Sequence, residues 1–169
     1  MLMIGIIDEL EDRLKKNKPG LACNEATLCY SFFEGSEPER NDATAVLRAL
    51  IWLLIKRNGF LAKHLDEKFD RVGSKLMLGS NSFYALSGLL ENMLQDDRLP
   101  TTYIVVDALD ECKVGLEQLL NFLRKSSGHP RGKWIVSSRN EHQIATSLQP
   151  TTTHSEAEDS ESPRTSLSL

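Results

Sequence analysis

The chain has 169 residues, of which 40% are hydrophobic and 26% charged, and its formal net charge is −4. This length and composition are typical of one globular domain that can bury a sizeable core. Lys and Arg are spread along the chain rather than clustered, which argues against a nucleic-acid-binding surface. No apolar run reaches the roughly 18 residues that a membrane-spanning helix needs.

Cysteine and histidine usage argues against a disulfide framework or a zinc site. The three cysteines are odd in number and form no CxxC pair (Cys23, Cys29 and Cys112). The spacing of the four histidines fits no metal motif, so we expect surface histidines. A reducing compartment, the cytoplasm, is therefore the predicted location.

The first half of the chain predicts a helix, a strand and two further helices. Apolar residues at near-helical spacing predict a helix over residues 2–16, which Pro19 and Gly20 end. Residues 27–33 (TLCYSFF) predict a buried strand. Asp42 is a predicted N-cap for a largely apolar and well-buried helix over residues 43–57, and a more polar helix follows over residues 60–71.

The second half predicts two strands separated by helices. After a break at residues 73–79, Asn81 is a predicted cap for a helix reaching about residue 97. The following predicted elements are a strand at 103–107, a helix at 115–126, a turn at 128–132, a strand at 133–138 and a short helix from near Asn140. Residues 149–169 are rich in Ser, Thr and Glu and predict a disordered tail. Both Trp52 and Trp134 are predicted to be core or half-buried aromatics.

Strands that alternate with helices predict βαβ units and a parallel sheet, which is an α/β fold. Three strands are fewer than the five or more of a complete open α/β sheet. The predicted fold is therefore α/β, with an incomplete parallel sheet of strands at about 27–33, 103–107 and 133–138 flanked by helices.

The stretch YIVVDALDEC places an acid at the end of a buried strand. Asp107 ends the strand, and Asp110 and Glu111 follow in the next loop. Ligands bind at the carboxyl edge of open α/β sheets, where an aspartate can hold magnesium beside nucleotide phosphates. One of the following acids could orient an attacking water. The alternative is that Asp110 and Glu111 cap the helix that begins near Gly115.

A second polar strand end follows in KWIVSSRN, where Arg139 and Asn140 come after the strand. The planar, multi-donor head of arginine suits a terminal phosphate, although an arginine after a strand is also a common surface residue. One crossover helix separates the two strands. Both polar ends should therefore lie side by side at one edge of the sheet.

YIVVDALDEC, a helix and KWIVSSRN together resemble the Walker B and sensor-one segments of NACHT-type NTPase domains, which belong to the STAND class. The resemblance is strongest to fungal NOD-like receptors and nephrocystin-like N-terminal domains. CYSFFEGSEPERNDATAVLRALIWLLIKR is similar to the strand and helix before Walker B, and MLMIGIIDELEDRL to the helix after the phosphate loop. The resemblance covers about residues 1–148, which we expect to form one domain.

The resemblance implies specific roles for four residues. Asp107 matches the magnesium-associated aspartate, Asp110 and Glu111 match the acids that position the hydrolytic water, and Arg139 matches the sensor arginine near the terminal phosphate. In the family such domains are switches that bind ATP or GTP with magnesium, oligomerise and signal. The resemblance also implies the three-layer sandwich of P-loop NTPases, with a five-stranded sheet in which the phosphate-loop strand lies beside the sensor strand. This chain is expected to form a partial version of that sandwich.

The phosphate loop of the family, G-x-x-x-x-G-K-[ST], has no counterpart in the 169 residues. The nearest stretch, GHPRGKW, has its first glycine one residue too close, has Trp134 in place of the hydroxyl residue, and leads into a strand. We therefore expect a turn there. The expected function is a fragment of a NACHT-type switch that lacks the first strand and this loop and does not hydrolyse nucleotide alone.

Three alternative interpretations of the missing loop remain. The chain could be a gene-model fragment, a decayed paralogue, or a short interaction module that completes its fold with another chain. Its expected partners are a second copy or full-length homologues, with no nucleic acid and no membrane. Tight nucleotide binding by the chain alone is not expected.

Overall fold

Strand β2 (Thr102–Asp107) forms the centre of a parallel sheet in the order β1-β2-β3. Its neighbours are β1 (Thr27–Phe32) and β3 (Gly132–Val136). The central position follows from its sequence, because the β-formers Ile104, Val105 and Val106 are fully buried, with exposed fractions of 0%. The computed structural model describes residues 2–16, 26–37, 41–72 and 81–148.

Six α-helices occur within these described residues. They are α1 (Leu2–Lys16), α2 (Ala43–Arg57), α3 (Ala62–Val72), α4 (Ser82–Leu94), α5 (Leu116–Ser126) and α6 (His142–Leu148). A short 3-10 turn at Gly59–Leu61 precedes α3, and a second one at Leu109–Glu111 follows β2. In the described part of the chain, none of the helices is both long and apolar enough to cross a membrane.

The two faces of the sheet pack against different helices. On one face, Leu28 and Val105 pack with Met3 and Ile7 of α1. On the other face, the main core joins the alternate strand residues to α2, α4, α5 and α6; its strand members are Cys29, Ile104 and Val106. This period-2 alternation produces three layers. The predicted α/β class, a partial P-loop-like sandwich with a parallel sheet, is confirmed.

The predicted elements are confirmed with shifted ends. β3 stops at Val136, two residues before the predicted end. Ser137 still donates its N–H to Val106 O, but its carbonyl accepts from Leu109 N, in the turn after β2, at 2.9 Å rather than from a β2 residue. Helix α4 stops at Leu94 rather than near residue 97. The predicted break at 73–79 and the predicted tail at 149–169 lie outside the described residues.

The two predicted helix caps differ in outcome. The Asp42 carboxylate accepts a hydrogen bond from Thr44 N at 3.0 Å, which confirms it as the cap of α2. Asn81 occupies the cap position of α4, but its side chain makes no capping hydrogen bond. The Asn81 carbonyl instead accepts from Ala85 N at 3.2 Å, which begins the helix ladder.

The prediction that α2 is buried around most of its circumference is wrong at Trp52. Its side chain is 58% exposed, because only the stripe containing Val46, Leu50 and Leu54 faces the core. The Lys56 ammonium lies 4.6 Å from the centroid of the Trp52 ring, on the outer face of the helix. Trp134 is half-buried, as predicted, and its ring meets Phe122 edge-on with centroids 5.9 Å apart.

His64 is not the surface residue that the sequence predicted. Its side chain is only 15% exposed, and its Nε2 lies 2.9 Å from Asp96 Oδ2. The same carboxylate pairs with Lys63 Nζ at 2.9 Å and accepts from Arg98 Nε at 3.1 Å. The Asp96 side chain, 4% exposed, thus ties α3 to the chain between α4 and β2.

We expect Asp96→Asn to lower the free energy of unfolding at pH 7 by about 1–3 kcal/mol, the cost of losing charged hydrogen bonds at a buried carboxylate. Urea denaturation measures this difference. Asp97→Asn is the matched control, because Asp97 is 98% exposed and pairs only at the surface with Arg131. Equal destabilisation by both substitutions would contradict the account.

The pH dependence of the stability difference between the wild type and Asp96→Asn is a second check. The Arg98 guanidinium holds the pKa of Asp96 well below its usual range, with further donors on Lys63 and His64 and despite the burial. The folded pKa is thus depressed, so the stabilisation is present above the unfolded value of about 3.9 and is lost as the pH falls below it. The difference between the wild type and Asp96→Asn should shrink below about pH 4.

Candidate functional site

The end of β2 turns sharply after Asp107. Ala108 adopts a left-handed conformation, with φ 57° and ψ 47°, which costs about 1–2 kcal/mol for a residue with a side chain. Its N–H donates to Ser137 Oγ at 3.1 Å, and that hydroxyl in turn donates to Asp107 Oδ1. Ser137 N donates to Val106 O at 3.0 Å. The end of β3 therefore holds the turn in place.

Asp110 binds Arg139 through both carboxylate oxygens. Its Oδ1 accepts from Arg139 N at 2.9 Å, and its Oδ2 lies 3.2 Å from Arg139 Nε. The Asp110 side chain is only 6% exposed, whereas that of Arg139 is 79% exposed. The buried carboxylate therefore anchors the base of the arginine, and most of the guanidinium faces solvent.

Glu111 joins the loop after β1 to the same arginine. Its Oε2 accepts from Gly35 N at 2.7 Å, and its Oε1 lies 3.7 Å from Arg139 Nη2. Lys113 Nζ donates to the Gly35 carbonyl, so Glu111 and Lys113 both bond to the backbone of Gly35. The Glu111 side chain is 33% exposed, which leaves it accessible beside the arginine.

The structure therefore brings together three of the four predicted site residues in direct contact. Asp110, Glu111 and Arg139 form one ion-paired group, and Asp107 joins them through Ser137, two residues before Arg139. The alternative role of Asp110 and Glu111 as caps of α5 is not supported. The cap position of that helix is Gly115, with no side-chain capping bond, and both carboxylates bind elsewhere.

Gly115 allows α5 to begin directly behind the acidic turn. Its φ is +78°, and a Cβ atom there would lie 3.0 Å from Ala43 Cβ and 3.1 Å from Gln118 Oε1. The neighbouring Val114 carbonyl accepts from Ala43 N at 2.9 Å, which joins this turn to the start of α2. A residue with a side chain would strain both the backbone and this junction.

We expect Gly115→Ala to destabilise the domain by about 1–2 kcal/mol, from the left-handed backbone alone. Gly5→Ala is a control of opposite sign, because that site in α1 is open and alanine favours a helix interior by about 0.5–1 kcal/mol. Thermal unfolding of the two variants measures both changes. A neutral Gly115→Ala would show that the backbone relaxes freely there.

The stretch GHPRGKW is a turn, as predicted, and not a phosphate loop. It joins α5 to β3, which begins at Gly132. The Arg131 guanidinium donates to the Leu99 carbonyl at 2.8 Å, and the Arg131 carbonyl accepts from Thr102 N at 2.7 Å. The lysine, Lys133, lies within the strand rather than at the start of a helix.

Two thiols close to the sheet are poor nucleophiles. Burial raises the pKa of Cys29 to about 12 and that of Cys112, beside the acidic turn, to about 11. Since the thiolate is the reactive form, neither thiol is suited to covalent chemistry near neutral pH. Cys23 lies outside the described residues.

The donor set at this edge fits magnesium better than a cation held entirely by protein. Among the described residues, no three His, Cys, Asp or Glu side chains converge as a metal-binding group. Magnesium is commonly held by one or two carboxylates together with phosphate oxygens and waters. Asp107 supplies such a carboxylate, since the carboxylates of Asp110 and Glu111 are directed to Arg139 and Gly35.

Sequence reasoning missed Ser137 as a site residue, and it missed Gly35 and Lys113 altogether. Ser137 could have been found by aligning the two strand ends, since it follows β3 as Asp107 ends β2. Gly35 and Lys113 gave no comparable signal. Their contacts depend on a loop separated from Glu111 by 76 residues.

The three-layer fold and its polar edge define a partial α/β domain of the P-loop type. The family model described as "Nephrocystin 3, N-terminal" matches residues 1–139, and the chain belongs to this family. It is also 40% identical over 154 residues to the vegetative incompatibility protein HET-E-1 of Podospora anserina. The match covers 88% of this chain and 11% of that protein. No solved structure matches the chain significantly.

These findings confirm the resemblance to nephrocystin-like N-terminal domains and to fungal NOD-like receptors of the NACHT type. The chain spans only about a tenth of the length of this curated relative. The activity of such a longer protein is a separate question from that of these residues.

Proposed function

We propose that this chain carries the magnesium and terminal-phosphate half of a NACHT-type nucleotide switch. One observation carries the proposal: the end of β3 is hydrogen-bonded to the end of β2, so that Asp107 and Arg139 share one edge of the sheet. Ligands of open α/β sheets bind at this edge. Family membership supports a nucleotide as the ligand.

Asp107 and Arg139 take different roles at this edge. Asp107 would hold magnesium, which supplies charge neutralisation at the phosphates when bound. The guanidinium of Arg139 would bind the terminal phosphate, since it is 79% exposed and presents several donors in one plane. Both residues act by position and charge rather than by covalent chemistry.

The two acids after β2 then take different parts in positioning the hydrolytic water. Asp110 contributes indirectly, because both of its oxygens bind Arg139 and its side chain is 6% exposed. Glu111 is the acid that could contact the water, since 33% of its side chain is exposed and its Oε1 lies 3.7 Å from Arg139. A carboxylate at hydrogen-bond distance from a water can orient it or accept its proton.

The chain alone is proposed to bind nucleotide weakly and not to hydrolyse it. A phosphate loop supplies backbone N–H donors, a lysine and a hydroxyl, and the 169 residues contain no such loop. One arginine and one aspartate cannot replace this set of donors. ATP or GTP with magnesium is the proposed ligand of the intact site, and a cytoplasmic location accords with the buried free thiols.

A second candidate function, an interaction module, is favoured by the outer side of β3. Thr102 N donates to Arg131 O, just before β3, and Ser137 N donates to Val106 O, just after it. Because bonding to one neighbour alternates along a strand, Lys133 and Ile135 of β3 also bond towards β2. The N–H and C=O groups of Gly132, Trp134 and Val136 therefore point away from β2. Among the described residues no strand pairs there, and a second copy or a full-length homologue could add one.

Nuclear magnetic resonance of the 15N-labelled chain with Mg-ATP tests the nucleotide proposal. At millimolar nucleotide we expect amide shifts at residues 107–111 and 137–139, with an affinity weaker than about 10 μM because most phosphate donors are missing. Arg139→Gln should weaken this binding by about threefold or more, since a charge-assisted contact is lost.

Arg124→Gln is the matched control, because that arginine lies on α5 and, within the described residues, its side chain bonds only to Asn121. Equal effects of the two substitutions would contradict the assignment of Arg139. Micromolar binding by the wild type would refute the claim that the chain alone is a weak binder. Shifts confined to other parts of the chain would place any nucleotide site elsewhere.

A further inference from the structure

Ser137 commits all of its polar groups to the end of β2. Its N–H donates to the Val106 carbonyl at 3.0 Å, and its own carbonyl accepts from Leu109 N at 2.9 Å. Its Oγ accepts from Ala108 N at 3.1 Å and donates to Asp107 Oδ1. The side chain is half-buried, so both of its hydroxyl bonds are partly shielded from water.

The direction of these hydroxyl bonds is fixed by the partners. A backbone N–H can only donate, so Ser137 Oγ is the acceptor towards Ala108. The single hydroxyl hydrogen is then left for the Asp107 carboxylate, to which Ser137 Oγ donates. Ser137 therefore occupies Asp107 Oδ1, and no described residue donates a hydrogen bond to the other oxygen, Oδ2.

This asymmetry has a consequence for any cation at Asp107. Magnesium takes one oxygen from a carboxylate in a near-ideal octahedron and keeps several waters, whereas calcium accepts six to eight oxygens and often binds both oxygens of a carboxylate. An aspartate with one oxygen held by a hydroxyl keeps the single-oxygen mode that magnesium uses and disfavours the two-oxygen mode that calcium often uses.

We propose that Ser137 is a positioning residue that limits Asp107 to one metal-binding oxygen and so favours Mg²⁺ over Ca²⁺. This inference rests on the proposed function, in which Asp107 binds the metal. The selection does not depend on other acids, because Asp110 and Glu111 are directed to Arg139 and Gly35.

Titration of the 15N-labelled chain with MgCl₂ and, separately, with CaCl₂ tests the proposal. Amide shifts of residues 107–111 give the two dissociation constants, and their ratio is the readout. Ser137→Ala should change the ratio about threefold or more in favour of calcium, because both Asp107 oxygens become available to the larger ion. Ser137→Thr keeps a hydroxyl and should keep the wild-type ratio.

Ser138→Ala is the matched control, since in the part of the chain that the structure describes that hydroxyl bonds only to the Arg139 carbonyl, at 2.8 Å. The amide spectrum of each variant shows whether the fold is kept, so the ratio is compared only among folded variants and reports the carboxylate rather than stability. If Ser137→Ala binds both ions at residues 107–111 with the wild-type ratio, the inference is wrong and the proposed function stands. If neither ion shifts these amides in the wild type, the inference is wrong, whereas the proposed function is judged separately by the titration with Mg-ATP.

Discussion

The parallel pairing of β2 with β3 is the constraint on which the rest of the site depends. The register places Val106 opposite Val136, so both strands end at the same level of the sheet. Ser137 then bonds Val106, Asp107, Ala108 and Leu109, and these bonds hold a left-handed turn that would otherwise be unfavourable. Because that turn is fixed, Asp110 and Glu111 face the arginine after β3 rather than α5.

The charged side chains at this edge are paired with one another. Asp110 is nearly buried, and Arg139 supplies its counter-charge, which lowers the cost of removing the carboxylate from water. Glu111 connects the same arginine to the loop after β1 through Gly35. A phosphate at Arg139 would compete with both carboxylates for one guanidinium. Any ligand that binds Arg139 would therefore act on the turn after β2 and on the loop after β1 together.

Local patterns in the sequence were enough to locate Asp107, Asp110, Glu111 and Arg139 at one edge, because strand ends and a single crossover helix are local features. Contacts between distant segments were not predictable in this way. Glu111 meets Gly35 across 76 residues, and His64 meets Asp96 across 32. The exposure of Trp52 was missed for a related reason, since composition alone does not say how much of a helix its neighbours cover.

The proposed function requires that a nucleotide-bound magnesium ion lie beside Asp107 at this edge of the sheet. Paramagnetic broadening by Mn-ATP, measured on the amides of the 15N-labelled chain, tests it most directly. The account predicts the strongest broadening at residues 107–109 and 137–139, and its loss in Asp107→Asn. Broadening centred elsewhere, or unchanged by Asp107→Asn, would contradict the account.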